Sequence, residues 1–133
     1  MKSLTNSFFF IVALLTIFSC SKSQTSTSID SLTVQKFEEI VKNNKDAIIL
    51  DVRTPEEYSE GHISGAVNID YMNEGFEQEI AKLNKSMTYL VYCKSGVRQD
   101  KASTRMKELG FENVHLLDGG ITRWQQDGKP VEN

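Results

Sequence analysis

From Leu32 onward the hydrophobic positions switch repeatedly between a helical period and short continuous runs. Val34, Phe37, Ile40 and Val41 recur at helical spacing behind Thr33, a residue suited to cap the first turn. "AIILDV", from Ala47 to Val52, is an apolar run of strand length, the pattern of a strand buried on both faces. Thr54, Pro55 and Glu57 then form the signature of a short capped helix, with Gly61 to end it. "AVNI", Ala66 to Ile69, reads as a second strand. "NEGFEQEIAKL" reads as a helix through Phe76, Ile80 and Leu83, and "TYLVYC" as a third strand running into Cys93. Arg98 to Leu109 predicts a helix with Ala102, Met106 and Leu109 on one side, closed by Gly110 in the left-handed region. Val114 to Leu117 is a fourth strand; a last helix opens at Gly119-Gly120 and closes at Gly128, with Ile121 and Trp124 facing the core. This alternation predicts parallel strands joined by right-handed crossovers: a small α/β domain.

The chain of 133 residues is long enough for one domain and too short for two ordinary ones. With 25% charged and 39% hydrophobic residues it has the profile of a globular protein, and a formal charge of −3 leaves no basic stripe for nucleic acid. The first twenty residues differ from the rest. Lys2 precedes an apolar run of 11 residues, Phe8 to Phe18, that ends at Ser19-Cys20. A bilayer span takes about 20 apolar residues, so this run suits the apolar region of a secretory signal. Its end, "IFSC", resembles a bacterial lipoprotein signal. That resemblance implies cleavage before Cys20, diacylation of Cys20 and retention in the cell envelope, facing the periplasm, with the lipid as the sole membrane contact. An ordinary signal peptide, or an anchor left uncleaved, would carry the same apolar run. "SKSQTSTS" behind it has no large apolar side chain and reads as a flexible tether. The expected organisation is a signal over 1–19, a lipidated Cys and tether over 20–30, and a folded domain over 31–133. Cleavage would remove Lys2 alone among charged residues, leaving 14 basic and 18 acidic side chains.

Cys20 and Cys93 are the only cysteines, so with Cys20 lipidated Cys93 is the one free thiol of the mature chain. An exported domain with no possible internal disulfide does not use sulfur as a staple. Packing or chemistry remains. In an open parallel sheet, ligands bind at the carboxyl ends of the strands, where Cys93 is expected to sit just before a helix. A loop there can aim several backbone N–H groups at one point, and the helix N-terminus adds partial positive charge. Gly96 permits the backbone dihedrals such a turn needs. Lys94 and Arg98 would favour the thiolate further and hold an anionic substrate. A cysteine that merely packs has no need of Lys, Gly and Arg in the next five positions.

"DVRTPEEYSEGHISGAVNI", then "YCKSGVR", then "LLDGGITRW" together resemble the single-domain rhodanese family of sulfurtransferases, over about Leu32 to Pro130. The resemblance implies a parallel sheet of about five strands flanked by helices on both faces. It implies a double displacement in which Cys93 takes the outer sulfur of a donor such as thiosulfate, holds it as a persulfide, and passes it to cyanide or a thiol. The loop Lys94, Ser95, Gly96, Val97 and Arg98 would bind substrate and persulfide, with Asp51 and Arg53 as supporting residues on the same rim. Cys93 to Arg98 spans Cys-x4-Arg. Phosphatases related to this family use Cys-x5-Arg, whose wider ring holds a phosphate, so the shorter ring points to a single sulfur atom. A binding module without enzymatic activity, a phosphatase and an arsenate reductase are the alternatives. Gln99 stands where many relatives carry serine.

The other polar residues have structural readings. Arg53 is expected to pair with Glu56 or Glu57, and His62 to fix the turn after the capped helix. Asp118 is expected to cap the following helix, Trp124 to anchor the core, and His115 to be structural or on the surface. Two histidines without spaced partners make no metal site, and neither a Walker loop nor a dinucleotide fingerprint is present, so no metal or cofactor is expected. The expected partners are a small sulfur donor and an acceptor thiol or cyanide, with a redox or sulfur-carrier protein as a further one. The chain itself is expected to be a monomer.

Overall fold

The computed structural model describes residues 29–133. The signal, Cys20 and all but the last two residues of the expected tether lie outside the described residues. In chain order the elements are β1 (Asp30–Leu32), α1 (Val34–Asn43), β2 (Ile48–Asp51), α2 (Pro55–Ser59) and β3 (Val67–Asn68). There follow α3 (Phe76–Ile80), β4 (Thr88–Tyr92), α4 (Val97–Glu108), β5 (Asn113–Leu117) and α5 (Gly120–Gln126). The strands form one sheet in the order β1-β5-β4-β2-β3, and every neighbouring pair is parallel.

Side-chain alternation along the central strands divides the core in two. Leu50, Val52, Tyr89, Val91 and Cys93 point to one face, where Phe76 and Ile80 of α3 and Ala102 and Met106 of α4 cover them. Ile49, Leu90 and Tyr92 point to the other, against Val34 and Phe37 of α1 and Ile121 and Trp124 of α5. Both faces are covered, which is why β2 and β4 read as unbroken apolar runs.

Local signals act where expected. The Thr33 side chain accepts from the Lys36 amide at the start of α1. Thr54 and Glu57 form a complete capping box on α2, with Pro55 at its first position. Gly110, at φ 93°, follows α4 in the left-handed region. Three elements differ from the expectation. β1 carried no readable pattern, because three residues at a sheet edge bring only Leu32 inward, opposite Leu117. β3 is a two-residue strand rather than four. The helix expected over 73–83 is one short turn-and-a-half, Phe76–Ile80. Gly75 provides no side-chain cap at its start, and tight turns from Glu79 to Lys82 and Ile80 to Leu83 end it.

Candidate active site

Register brings the ends of β2 and β4 side by side: Asp51 lies opposite Tyr92, and the Val52 amide donates to the Tyr92 carbonyl at 3.0 Å. The segment from Asp51 to Arg53 therefore shares a rim with the loop from Cys93 to Gly96. Cys93 continues the β4 alternation and is buried, at 1% exposure, above Ala102 and Met106. Its sulfur nonetheless faces the loop, because the Gly96 amide donates to Sγ at 3.1 Å. Gly96 holds φ 129°, as its place in the turn requires.

The orientation of the loop is set from behind. The carbonyls of Cys93 and Lys94 accept from the amides of Ile121 and Thr122, at 2.9 and 3.1 Å, in the first turn of α5. In a trans peptide the C=O and the following N–H point in opposite directions. Carbonyls turned to α5 thus leave the amides of Lys94 and Ser95 turned away from it. This contact needs Gly120: at φ 61°, a Cβ there would stand 2.5 Å from the Lys94 carbonyl oxygen. Among the described residues the amides of Ser95, Val97, Arg98 and Gln99 have no acceptor within the protein. They supply the surplus donors and the helix N-terminal charge that an anion in the loop would meet. One amide, not a full ring, points at the resting sulfur.

Gln99 is the bracing residue that sequence patterning left without a role. It is buried at 2% exposure; its Oε1 accepts from the Cys93 amide at 3.0 Å and its Nε2 donates to the Leu117 carbonyl at 2.7 Å. It ties the end of β4, the start of α4 and the end of β5 together. A glutamine three positions into an amphipathic helix, on its apolar side beside Ala102 and Ser103, was the available signal.

The charged residues arrange themselves differently from the expectation. Arg98 does not offer its guanidinium to the loop. It forms a two-armed pair with Glu57, Nη1 to Oε2 at 2.6 Å and Nη2 to Oε1 at 2.8 Å, each side chain about a quarter exposed. The Arg98 hydrogen bonds, opposed by partial burial and helped by the Thr54 amide, hold the Glu57 carboxyl down to about 2. Arg53 pairs with neither Glu56 nor Glu57. It turns back on Asp51, Nη2 to Oδ2 at 2.6 Å, and donates also to the Gly61 carbonyl at 2.8 Å. Both partners are buried, and the guanidinium lies 5.6 Å from the Tyr92 ring centroid. Burial opposes the Arg53 charge, but the Asp51 carboxylate outweighs it and raises the guanidinium pKa. Asp51 and Arg53 thus reach the rim as a closed internal pair. Lys94 is exposed and, among the described residues, makes no ion pair.

His62 stacks on Tyr58, with centroids 3.8 Å apart, and its Nδ1 lies 3.0 Å from the Tyr58 carbonyl, which fixes the turn after α2. Asp118 does not cap α5; Gly119 takes that position with no side-chain bond, and the Asp118 amide donates to the Leu32 carbonyl. Trp124 anchors the core edge-on to Phe37 and donates to the Pro130 carbonyl. His115 is half-buried on β5, away from the loop.

The chain is similar to known proteins in sequence and in fold. The family model described as "Rhodanese-like domain" matches residues 33–127. The chain is 40% identical over 93 residues to thiosulfate sulfurtransferase 16, chloroplastic, of Arabidopsis thaliana, across 62% of this chain and 78% of that protein. It is 34% identical over 114 residues to the tRNA uridine(34) hydroxylase of Pelagibacter ubique, across 85% of this chain but 36% of that protein. It therefore spans about a third of that hydroxylase. Among solved structures, a rhodanese-related protein from Thermoplasma volcanium superposes with a TM-score of 0.68 at 29% identity, covering 77% of this chain and 97% of that one.

Proposed function

The chain belongs to the family of rhodanese-like domains, and from that premise we propose that it is a sulfurtransferase in which Cys93 carries a sulfane sulfur as a persulfide. The observation that carries this reading is the Gly96 amide 3.1 Å from Cys93 Sγ, in the turn between the carboxyl end of β4 and the start of α4. The thiolate of Cys93 attacks the outer sulfur of a donor, the donor's S–S bond breaks, and its remainder leaves with the bonding pair. With thiosulfate the leaving group is sulfite. A persulfide places one further sulfur beyond Sγ, towards the loop mouth. There the amides of Ser95, Val97 and Arg98 are free to meet its charge, as donors positioned in advance. An acceptor thiol or cyanide then attacks that terminal sulfur and restores the Cys93 thiolate. Burial of Cys93 favours this division of labour, since the outer sulfur, rather than Sγ, is what the acceptor must reach.

Treating the full-length chain with a sulfane-sulfur donor is expected to add the mass of one sulfur at Cys93, and cyanide to release it as thiocyanate. Absence of both products with every donor class would overturn the reading. Cys93→Ser is expected to abolish both. We also propose that the mature protein is held in the cell envelope by a lipid on Cys20. The "IFSC" stretch and the Ser/Thr-rich segment behind it support this. Mass spectrometry of the protein from its native membrane tests it, and an unmodified Cys20 would refute it.

A further inference from the structure

Arg98 stands at the mouth of the loop, yet both arms of its guanidinium are taken by Glu57. The same carboxylate also closes the capping box of α2 by accepting from the Thr54 amide at 3.2 Å, so it is held from two sides. Of the two cations in the loop sequence, Lys94 and Arg98, only Arg98 is paired, among the described residues, with a carboxylate, that of Glu57. A thiosulfate dianion would find Lys94 alone unengaged. Glu57 takes one N–H from each Nη of Arg98, so a sulfonate that approached the N–H groups left over would lie beside that carboxylate, like charge against like. Next to Arg98, Val97 presents an apolar side chain at 63% exposure. A sulfonate gains nothing from that contact, whereas an alkyl group does.

We propose that Glu57 is a specificity-determining residue which, by occupying Arg98, makes this site prefer persulfides of organic thiols over thiosulfate as sulfur donors. This rests on the sulfur-transfer reading above. The step balances without an added oxidant or reductant. The Cys93 thiolate attacks the terminal sulfur of R–S–SH, the S–S bond breaks, R–S⁻ leaves with the electron pair, and Cys93 becomes the persulfide Cys93–S–SH. Nothing in it requires a second cation to receive a departing sulfonate.

The test compares two donors on the full-length chain, thiosulfate and the hydropersulfide of 2-mercaptoethanol, by the rate of sulfur gain at Cys93. The wild-type protein is expected to load faster from the hydropersulfide. Glu57→Gln removes the charge while glutamine still serves in a capping box. It is expected to shift the ratio of kcat/KM values towards thiosulfate by about tenfold or more, through a lower KM for thiosulfate. Thr54→Ala loosens the α2 cap but leaves the Glu57–Arg98 pair, so that variant is expected to keep the wild-type ratio. A wild-type preference for thiosulfate, an unchanged ratio in Glu57→Gln, or the same shift in Thr54→Ala overturns the proposal while leaving sulfur transfer intact. Loading from neither donor overturns both.

Discussion

Two arginine–carboxylate pairs stand at the carboxyl ends of adjacent strands, and they are built for different work. Asp51–Arg53, after β2, is sealed: the side chains are 0% and 6% exposed, and the guanidinium also donates to the Gly61 carbonyl. Glu57–Arg98, beside β4, bridges a short helix and the sulfur loop, and water reaches both partners at 25% and 22%. Coulomb attraction is similar in kind, but access to solvent decides what each pair can do. A sealed pair cannot open without stranding a charge in the interior, so it holds β2, the turn at Gly61 and Tyr92 in place. A half-open pair can exchange partners with a ligand at modest cost. The first is architecture and the second is a site for selection.

That contrast can be broken most severely at the sealed pair. Arg53→Ala strands the Asp51 carboxylate and is expected to cost about 3–5 kcal/mol, read as a lower denaturation midpoint in urea. A loss below about 1 kcal/mol would show that water enters this pair as freely as the other. Gly120→Ala is expected to come next, at about 1–3 kcal/mol, because alanine strains the positive φ and meets the Lys94 carbonyl. Its rate of sulfur gain at Cys93 should fall along with its denaturation midpoint, since the contact that orients the loop retreats. Arg98→Met is expected to change stability by no more than about 1 kcal/mol. Its loading with a hydropersulfide should survive, which a direct comparison of sulfur gain and urea midpoint would show. The smallest effect lies in acid. Because the Glu57 pKa falls from 4.5 to about 2 on folding, its contribution is complete above 4.5 and is lost as pH drops through about 2. The difference in melting temperature between wild type and Glu57→Gln should therefore shrink steadily from pH 4.5 to pH 2. A constant gap across that range would mean that the pair contributes no pH-dependent stability.

The parts of this molecule governed by periodicity or by a local cap were legible in the chain. β2, β4, α1 and α4 follow from hydrophobic spacing, and the α2 capping box from the four residues Thr54 to Glu57. The position of Cys93 before a turn-forming glycine and a helix could be read in the same way, because strand, turn and helix are contiguous there. What escaped depends on partners far apart in sequence. Gln99 answers to the backbone of Cys93 and Leu117, and neither atom leaves a trace in side-chain identity. The choice of Arg98 by Glu57, rather than of Arg53, is a matter of which rim each strand end reaches. The Asp51–Arg53 pair did have a signal, since residues two apart on an extended segment share a face. β1 had almost none: one inward leucine is no pattern.

The seating of α5 against the back of the loop has a practical corollary. Because Ile121 and Thr122 donate their amide protons to the carbonyls of Cys93 and Lys94, those two protons are built-in reporters of the loop's posture. Hydrogen–deuterium exchange at Ile121 and Thr122 would follow every opening of the sulfur cradle from a distance, with no probe attached to the thiol itself.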